Sequence, residues 1–327
     1  MAQMKAVVAD EVGGPGVLRY VDAERPSPRD WEVLIEVEAA GVNYADTMRR
    51  RDQYLTRQSF PFTPGSEVAG TVVEVGEGVE NASEGDRVVT LIDSGGYADF
   101  AVAPAASLIP MPEGLGFEEA AAVPLQGLTA YHIIKTSGAL KSGESVLVHA
   151  AAGGVGTLSV QMAKLLGAGR VIATASSEEK LDLARSLGAD VLINYTEEDW
   201  PGKVVEATDG DGADVILEMV GADFPEKNLQ CLATFGRMVV FGSASGERGT
   251  ITPAALMNGC QSVVGFWLIP ILSRPDLFVP SLEETLGWIS SGDLELTIGA
   301  TYPLESAAEA HTDLEGRKTT GKLILRP

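Results

Sequence analysis

The sequence predicts an α/β protein in which a six-stranded, doubly wound parallel sheet is inserted into a chain that otherwise reads as β-barrel. Three observations predict it. Over the middle of the chain, apolar strand cores alternate with amphipathic helices. Before them lie short strands broken by glycine turns, and a short strand closes the C-terminus. A glycine-rich turn joins the first strand of the alternating stretch to its helix.

Up to about residue 110 the chain reads as β structure. Trp31 to Glu38 places Val33, Ile35 and Val37 on one face with charges mostly opposite, the period of a half-buried strand. Val72, Val73 and Val75 run into the turn Gly76-Glu77-Gly78, and Gly85-Asp86 leads into Arg87-Val88-Val89-Thr90. Strands of this kind with such turns suit a closed or nearly closed barrel. Helical spacing begins near Phe117.

From about 126 to 268 the pattern is strand, helix, strand, helix. Strand cores stand at Val146–Val148, Val171–Ala173, Val191–Ile193, Val215–Leu217, Met238–Phe241 and Val263–Leu268. Leu158, Met162 and Leu165 stripe the first intervening helix, stopped by Gly167, and Leu181, Ala184 and Leu187 the second, stopped by Gly188. Continuous apolar strands alternating with helices mean a parallel sheet covered on both faces. Six of them match the doubly wound dinucleotide, or Rossmann, fold. The stretch after 268 is too short for a third domain and should rejoin the barrel through Lys322–Leu325.

The strongest local signal is the run SVLVHAAAGGVG, Ser145 to Gly156. A strand must turn sharply there, let backbone amides approach a pyrophosphate, and open a helix whose dipole faces the anion. Gly153, Gly154, Val155 and Gly156 form the approach. Ala151 stands where the usual fingerprint has its first glycine. NAD binders place an acid at the end of the second strand to hold the ribose hydroxyls. Here that strand ends Thr174-Ala175-Ser176-Ser177, with Lys180 following, which suits the 2′-phosphate of NADPH. The same residues also read as a capping box, Ser176-x-x-Glu179, beside a solvated lysine, and the two readings are compatible.

Composition narrows the function classes. A net charge of −22 repels phosphate backbones and anionic headgroups, so neither nucleic acid nor membrane insertion is expected. That acidity serves solubility or recruits a basic partner. Two cysteines, Cys231 and Cys260, exclude a disulfide framework and a four-thiolate metal site. No run approaches the roughly 18 apolar residues of a membrane span, and the cytoplasm is the expected compartment.

The chain resembles the zinc-free quinone oxidoreductase (zeta-crystallin-like) branch of the medium-chain dehydrogenase/reductase superfamily. The resemblance is carried by AAGVNYADTMRR at 39–50, PFTPGSEVAGTVVEVGEGV at 61–79, QGLTAYH at 126–132, HAAAGGVG at 149–156, ATASSEEKLDLARSLGADVLINY at 173–195 and GRKTTGKLIL at 316–325. It implies a GroES-like catalytic domain over 1–125 and 269–327 around a Rossmann domain at 126–268. Zinc-dependent members carry a metal-ligating cysteine within the segment here reading Gly41-Val42-Asn43, a histidine at Ser66 and a third ligand near Gln126. None of these is a soft ligand here, so no metal is expected.

By the same resemblance, Asn43, Tyr44 and Asp46 lie near nicotinamide and acceptor, and Gln126, Thr129 and Tyr131 approach the nicotinamide. Tyr195 lies by the adenosine 2′-phosphate, Gly242 and Ser243 by the nicotinamide ribose, and Phe266, Trp267 and Leu268 by the carboxamide. Arg317 or Lys322 reaches the phosphates. Tyr54 is either an acceptor-stacking phenol or loop packing, and Phe266–Leu268 also reads as strand core. His149, ending a buried strand, reads as a hydrogen-bonded core histidine. Without a Lewis acid, hydride transfer from NADPH suits a quinone. The alternatives are reduction of enones or enoyl thioesters, and non-catalytic NADPH binding in a structural or RNA-binding protein. The apolar run Gly259–Leu272, interrupted by Pro270, exceeds what one edge strand buries and predicts a homodimer, unless the tail covers it.

Overall fold

The computed structural model describes residues 2–327, which divide into two compact units. The first comprises the chain up to Leu125 and Ile298–Pro327, and the second Gln126–Thr297.

In the first unit, β1 (Gln3–Ala9) and β2 (Leu18–Glu24) form an antiparallel pair. β3 (Glu32–Val42) is the organising strand. It pairs antiparallel with β4 (Glu67–Val75), β6 (Phe100–Pro104) and β15 (Lys322–Arg326). β5 (Arg87–Leu91) and β7 (Ile109–Pro110) extend the sheet beyond β4, and β14 (Ile298–Pro303) lies parallel to β15. Val33, Ile35 and Val37 enter the core with Val68, Val72, Leu323 and Leu325, while Glu36 and Glu38 stay exposed. Helix α1 (Tyr44–Arg50) leaves directly from β3, a short α2 spans Phe117–Ala120, and α10 (Ala307–Glu315) precedes β15.

The second unit opens with α3 (Leu128–His132) and then alternates. Its strands are β8 (Ser145–Val148), β9 (Arg170–Ala175), β10 (Val191–Asn194), β11 (Ala213–Glu218), β12 (Leu232–Val240) and β13 (Ser262–Gly265). All pair in parallel, in the order β10-β9-β8-β11-β12-β13, so the sequence-first strand lies in the middle, where a doubly wound sheet reverses direction. The helices between them are α4 (Gly154–Leu165), α5 (Glu178–Ser186), α6 (Trp200–Ala207) and α7 (Phe224–Cys231). Alternate strand residues feed opposite cores. Val146, Val148, Val171 and Ala173 pack with Leu158 and Met162. Leu147, Ile172 and Ile216 pack with Trp200 and Val204 on the other face.

The chain crosses back later than residue 269. After α8 (Ile269–Leu272), helix α9 (Pro275–Ser291) stays with the parallel sheet. Trp288, Ile289 and Leu294 pack into its core, and the Gln161 amide brackets the Glu295 backbone with two hydrogen bonds. The sixth strand also ends earlier than the apolar run suggested, at Gly265, and Phe266–Leu268 leads into α8. Among the described residues no helix is long and apolar enough to cross a membrane.

Candidate functional site

In the second unit, β8 ends at Val148 and the chain turns through His149–Gly153 into α4. Ala150 adopts a left-handed φ of 47°, and Gly153 takes the extended N-cap conformation. Gly156 is the sterically strict position: a Cβ there would lie 2.2 Å from the Ala150 carbonyl oxygen. Gly154 lies under the Gln126 side chain, where a Cβ would meet Oε1 at 2.1 Å. Gly153, Gly154 and Val155 remain partly accessible, so the opening amides of α4 present a twelve-residue helix's N-terminus to an anion.

The end of β9 differs from expectation in two respects. Ser177, not Ser176, caps α5, its Oγ accepting from Lys180 N at 3.5 Å. Thr174 does not line an open pocket. It is fully buried, its hydroxyl 2.8 Å from His149 Nδ1, because β8 and β9 are neighbours and bring their ends together. Ser176, Ser177 and Lys180 are half-buried, and Tyr195 joins them, its backbone N–H donating to Ala175 O. The loop after β12 folds against the loop after β11. A Cβ on Gly242 would stand 3.2 Å from the Met219 Cβ, and Ser243 Oγ donates to Glu247 O. Phe266 N donates to Val240 O, placing Phe266, Trp267 and the buried Leu268 just past the end of β13.

Gln126 lies in the π-helical turn Val123–Gly127 that leads into α3, and Thr129 in the first turn of α3 itself. Tyr131 is a correction. Two residues on, it turns to the other face, and its hydroxyl donates to Glu284 of α9 with Lys135 over its ring. Tyr131 therefore ties α3 to α9.

Sequence reading missed a buried wire in this unit. Asn228 Nδ2 donates to Glu218 Oε2, and Asn228 Oδ1 lies 2.7 Å from His149 Nε2. His149 Nε2 therefore carries the ring proton, and Nδ1 accepts from the Thr174 hydroxyl. Glu218 Oε1 takes the N–H groups of Val220 and Gly221. The wire straps together the C-terminal ends of β9, β8 and β11. Burial keeps His149 neutral by lowering its pKa.

In the first unit, Asn43 caps α1. Its backbone N–H donates to Asp46 Oδ2 at 2.9 Å, and Tyr97 Oη donates to the same oxygen at 3.1 Å. Asn43 and Asp46 are both buried, the Asn43 amide bonded to Gly41 O, Glu67 and Lys322, so the two support the helix from within and face no open site, a correction to their assignment beside nicotinamide and acceptor. Burial raises the Asp46 pKa to about 6 against the donors around it. Behind Tyr97 stands His311, with Arg50 NH1 2.6 Å from its Nδ1. A guanidinium only donates, so Nδ1 must accept and Nε2 carries the proton toward Tyr97. Arg50 continues the line to Glu315 at 2.5 Å.

Lys322 is the second correction here. It is 1 % exposed, with Nζ 2.5 Å from Glu67 Oε2 and 2.9 Å from Asn43 Oδ1, and so reaches no phosphate. A lone lysine opening the apolar strand KLIL and a lone glutamate opening EVAGTVV were the available signals for this pair. Tyr44 is half-buried, its phenol pKa pushed up by burial. Tyr54 lies under the Arg49 guanidinium at 5.4 Å. Arg317 is exposed just after α10, at a φ of 55°.

The fold agrees with comparison to known proteins. A family model described as alcohol dehydrogenase GroES-like domain matches residues 29–113, and one described as zinc-binding dehydrogenase matches 154–280. The quinone oxidoreductase of Pseudomonas aeruginosa is 38% identical over 96% of this chain and 97% of its own. The chain belongs to the quinone oxidoreductases of the medium-chain dehydrogenase/reductase superfamily. Among solved members, the Escherichia coli quinone oxidoreductase complexed with NADPH superimposes with a TM-score of 0.94 at 34% identity, covering 100% of both chains. A mycobacterial protein complexed with NADPH gives 0.93 at 40% identity, covering 99% of this chain and 100% of that one. Although one matching model carries zinc in its description, the donor set does not fit a metal. Among the described residues no three His, Cys, Asp or Glu side chains are grouped to hold one.

Proposed function

We propose that this quinone oxidoreductase family member is an NADPH-dependent, metal-free reductase that delivers hydride to a quinone. One observation carries the reading. The positions that ligate zinc in metal-dependent relatives hold Asn43, Ser66 and Gln126, amides and a hydroxyl that hydrogen-bond an oxygen without acting as Lewis acids. An electron-poor quinone accepts hydride without that activation, and its reduced oxygen takes a proton from solvent.

NADPH, when bound, supplies the hydride. The amides at Gly153–Gly156 hold its pyrophosphate at the start of α4. Ser176, Ser177 and Lys180 hold the 2′-phosphate beside Tyr195, in a region that lacks the acid an NAD binder uses. Gly242 and Ser243 contact the ribose, and Phe266–Leu268 shield the carboxamide. Gln126 and Thr129 flank the nicotinamide, while the half-buried Tyr44 orients the acceptor.

The test is a screen of NADPH oxidation against quinones, enones, enoyl thioesters and simple ketones, with metal analysis of the same preparation. Quinone turnover unaffected by a chelator is expected. Ketone turnover lost on chelation would overturn the metal-free reading, and turnover of enones alone would replace the quinone as substrate.

We further infer a homodimer through β13. Ser262, Val263 and Gly265 are exposed on this edge strand, and Met257 and Ile269 nearby in sequence are exposed too. A monomeric mass by light scattering at micromolar concentration would exclude it.

A further inference from the structure

The glycine-rich turn holds one glycine that its fingerprint does not ask for. With Ala151 at the first fingerprint position, Gly153 and Gly156 occupy the second and third, and Gly154 falls where the fingerprint leaves the residue open. Backbone conformation does not call for glycine there either, because Gly154 opens α4 without a positive φ. Space does. A Cβ on Gly154 would stand 2.5 Å from Gln126 Cδ and 2.6 Å from Nε2, inside the amide group. The other two glycines face backbone. A Cβ on Gly153 would meet the Ala150 carbonyl oxygen alone, at 3.2 Å, and one on Gly156 would strike that same oxygen. Gly153 is thus the glycine beside open space, where a phosphate can approach, and the space at Gly154 is filled by a glutamine.

Both sides of this contact are held. Thr157 N donates to Gly153 O at 2.8 Å and Thr157 Oγ to Gly154 O at 3.1 Å, so the turn is pinned to its helix. Gln126 is carried by the π-helical turn Val123–Gly127, a form that recurs at functional sites. Gly153, Gly154 and Val155 are partly accessible and the Gln126 amide lies against the second of them, so Gln126 walls one side of the cradle. We propose that Gly154 is a positioning residue that acts through Gln126: its missing side chain seats the Gln126 amide against the opening turn of α4, and that seat sets where the nicotinamide half of NADPH lies. The inference rests on the reading above that Gln126 flanks the nicotinamide. It assigns the absence of a side chain at Gly154 to Gln126 and not to the pyrophosphate.

The experiment compares Gly154→Ala, Gln126→Ala and the double variant in the full chain. It reads kcat and the NADPH KM with a quinone, the Kd of adenosine 2′,5′-bisphosphate, which has no nicotinamide, and Tm. Alanine forms helix better than glycine, and what it would displace is the end of a flexible side chain, so Gly154→Ala should keep its Tm. Its kcat/KM should fall by roughly 10- to 100-fold, the scale of a misplaced reactant, and Gln126→Ala should lose as much. The double variant should be no worse than Gln126→Ala, because the new methyl enters vacated space. Adenosine 2′,5′-bisphosphate should bind all of them as it binds the wild type. Additive losses in the double variant, or weaker bisphosphate binding by Gly154→Ala, would mean that the glycine serves the phosphates and would overturn the proposal. So would a Tm lost in Gly154→Ala and not regained in the double variant, or a wild-type kcat/KM in Gly154→Ala beside an impaired Gln126→Ala. If Gln126→Ala keeps full kcat and KM, the reading that Gln126 flanks the nicotinamide is what fails.

Discussion

The two units each bury a histidine in a hydrogen-bonded line, and they fix its direction from opposite ends. In the parallel-sheet unit the line runs Thr174, His149, Asn228, Glu218 and ends on two backbone N–H groups. Glu218, a carboxylate that takes those two N–H groups, only accepts, so this line is directed toward it. In the barrel unit it runs Glu315, Arg50, His311, Tyr97, Asp46. Arg50 only donates, so its direction is locked. The first straps the strand ends beside the glycine-rich turn. The second fixes the cap of α1 through Asp46. Direction comes in the first from Glu218, which only accepts, and in the second from Arg50, which only donates.

The barrel line should break hardest. Arg50→Met removes a buried guanidinium that serves Gly13 O, His311 and Glu315, and leaves Glu315 with Arg51 as its remaining ion-pair partner. A loss of about 3–5 kcal/mol is expected by denaturant titration. A loss under about 1 kcal/mol would mean that Glu315 is satisfied by Arg51 alone.

Acid separates the same groups. Burial, with Arg50 second, lowers the His311 pKa to about 3, and burial, with Lys135 second, lowers that of His132 to about 4. Both lie below the unfolded value, so their contribution is present above about pH 6.5 and is lost as pH falls through 4 and 3. Asp46, raised to about 6, works the other way: its contribution is complete below its unfolded value and is lost as pH rises through 6. The wild-type chain should lose stability below about pH 6.5, and Asp46→Asn should steepen that loss between about pH 6 and 4. Parallel stability–pH curves for the two proteins would remove Asp46 from the account.

Cofactor preference should depend on the parallel-sheet unit alone. Lys180→Ala should weaken NADPH by roughly ten- to a hundred-fold and leave NADH nearly unchanged, the scale of one charge-assisted contact. Equal losses for both cofactors would make Lys180 a surface or fold contact.

The smallest effect sharpens the comparison most. Glu218→Gln lets its wire invert: the new amide donates to a turned Asn228, Asn228 donates to His149 Nε2, and Nδ1–H donates to Thr174. Stability should fall by no more than about 1 kcal/mol, because every bond is remade. Nitrogen NMR should show the His149 proton moved from Nε2 to Nδ1. A retained Nε2 proton would show that the line is not reversible.

What the sequence determined by itself was everything written in short-range pattern. Strand periodicity placed Val33, Ile35 and Val37 in one core and all six parallel strands in the other unit. The spacing of Gly153, Gly154 and Gly156 located the turn, because backbone approach depends on residues a few positions apart. Tertiary structure alone decided which polar groups meet. Lys322 and Asn43 stand 279 residues apart, Arg50 and His311 261, and His149 and Asn228 79. No periodicity encodes such pairings, so Lys322 read as a phosphate ligand, Thr174 as a pocket hydroxyl and Asp46 as a residue beside the acceptor. Helix α9 was misplaced for a related reason. Its amphipathic stripe shows that it must cover a sheet, but only the packing of Trp288 and Leu294 shows which one.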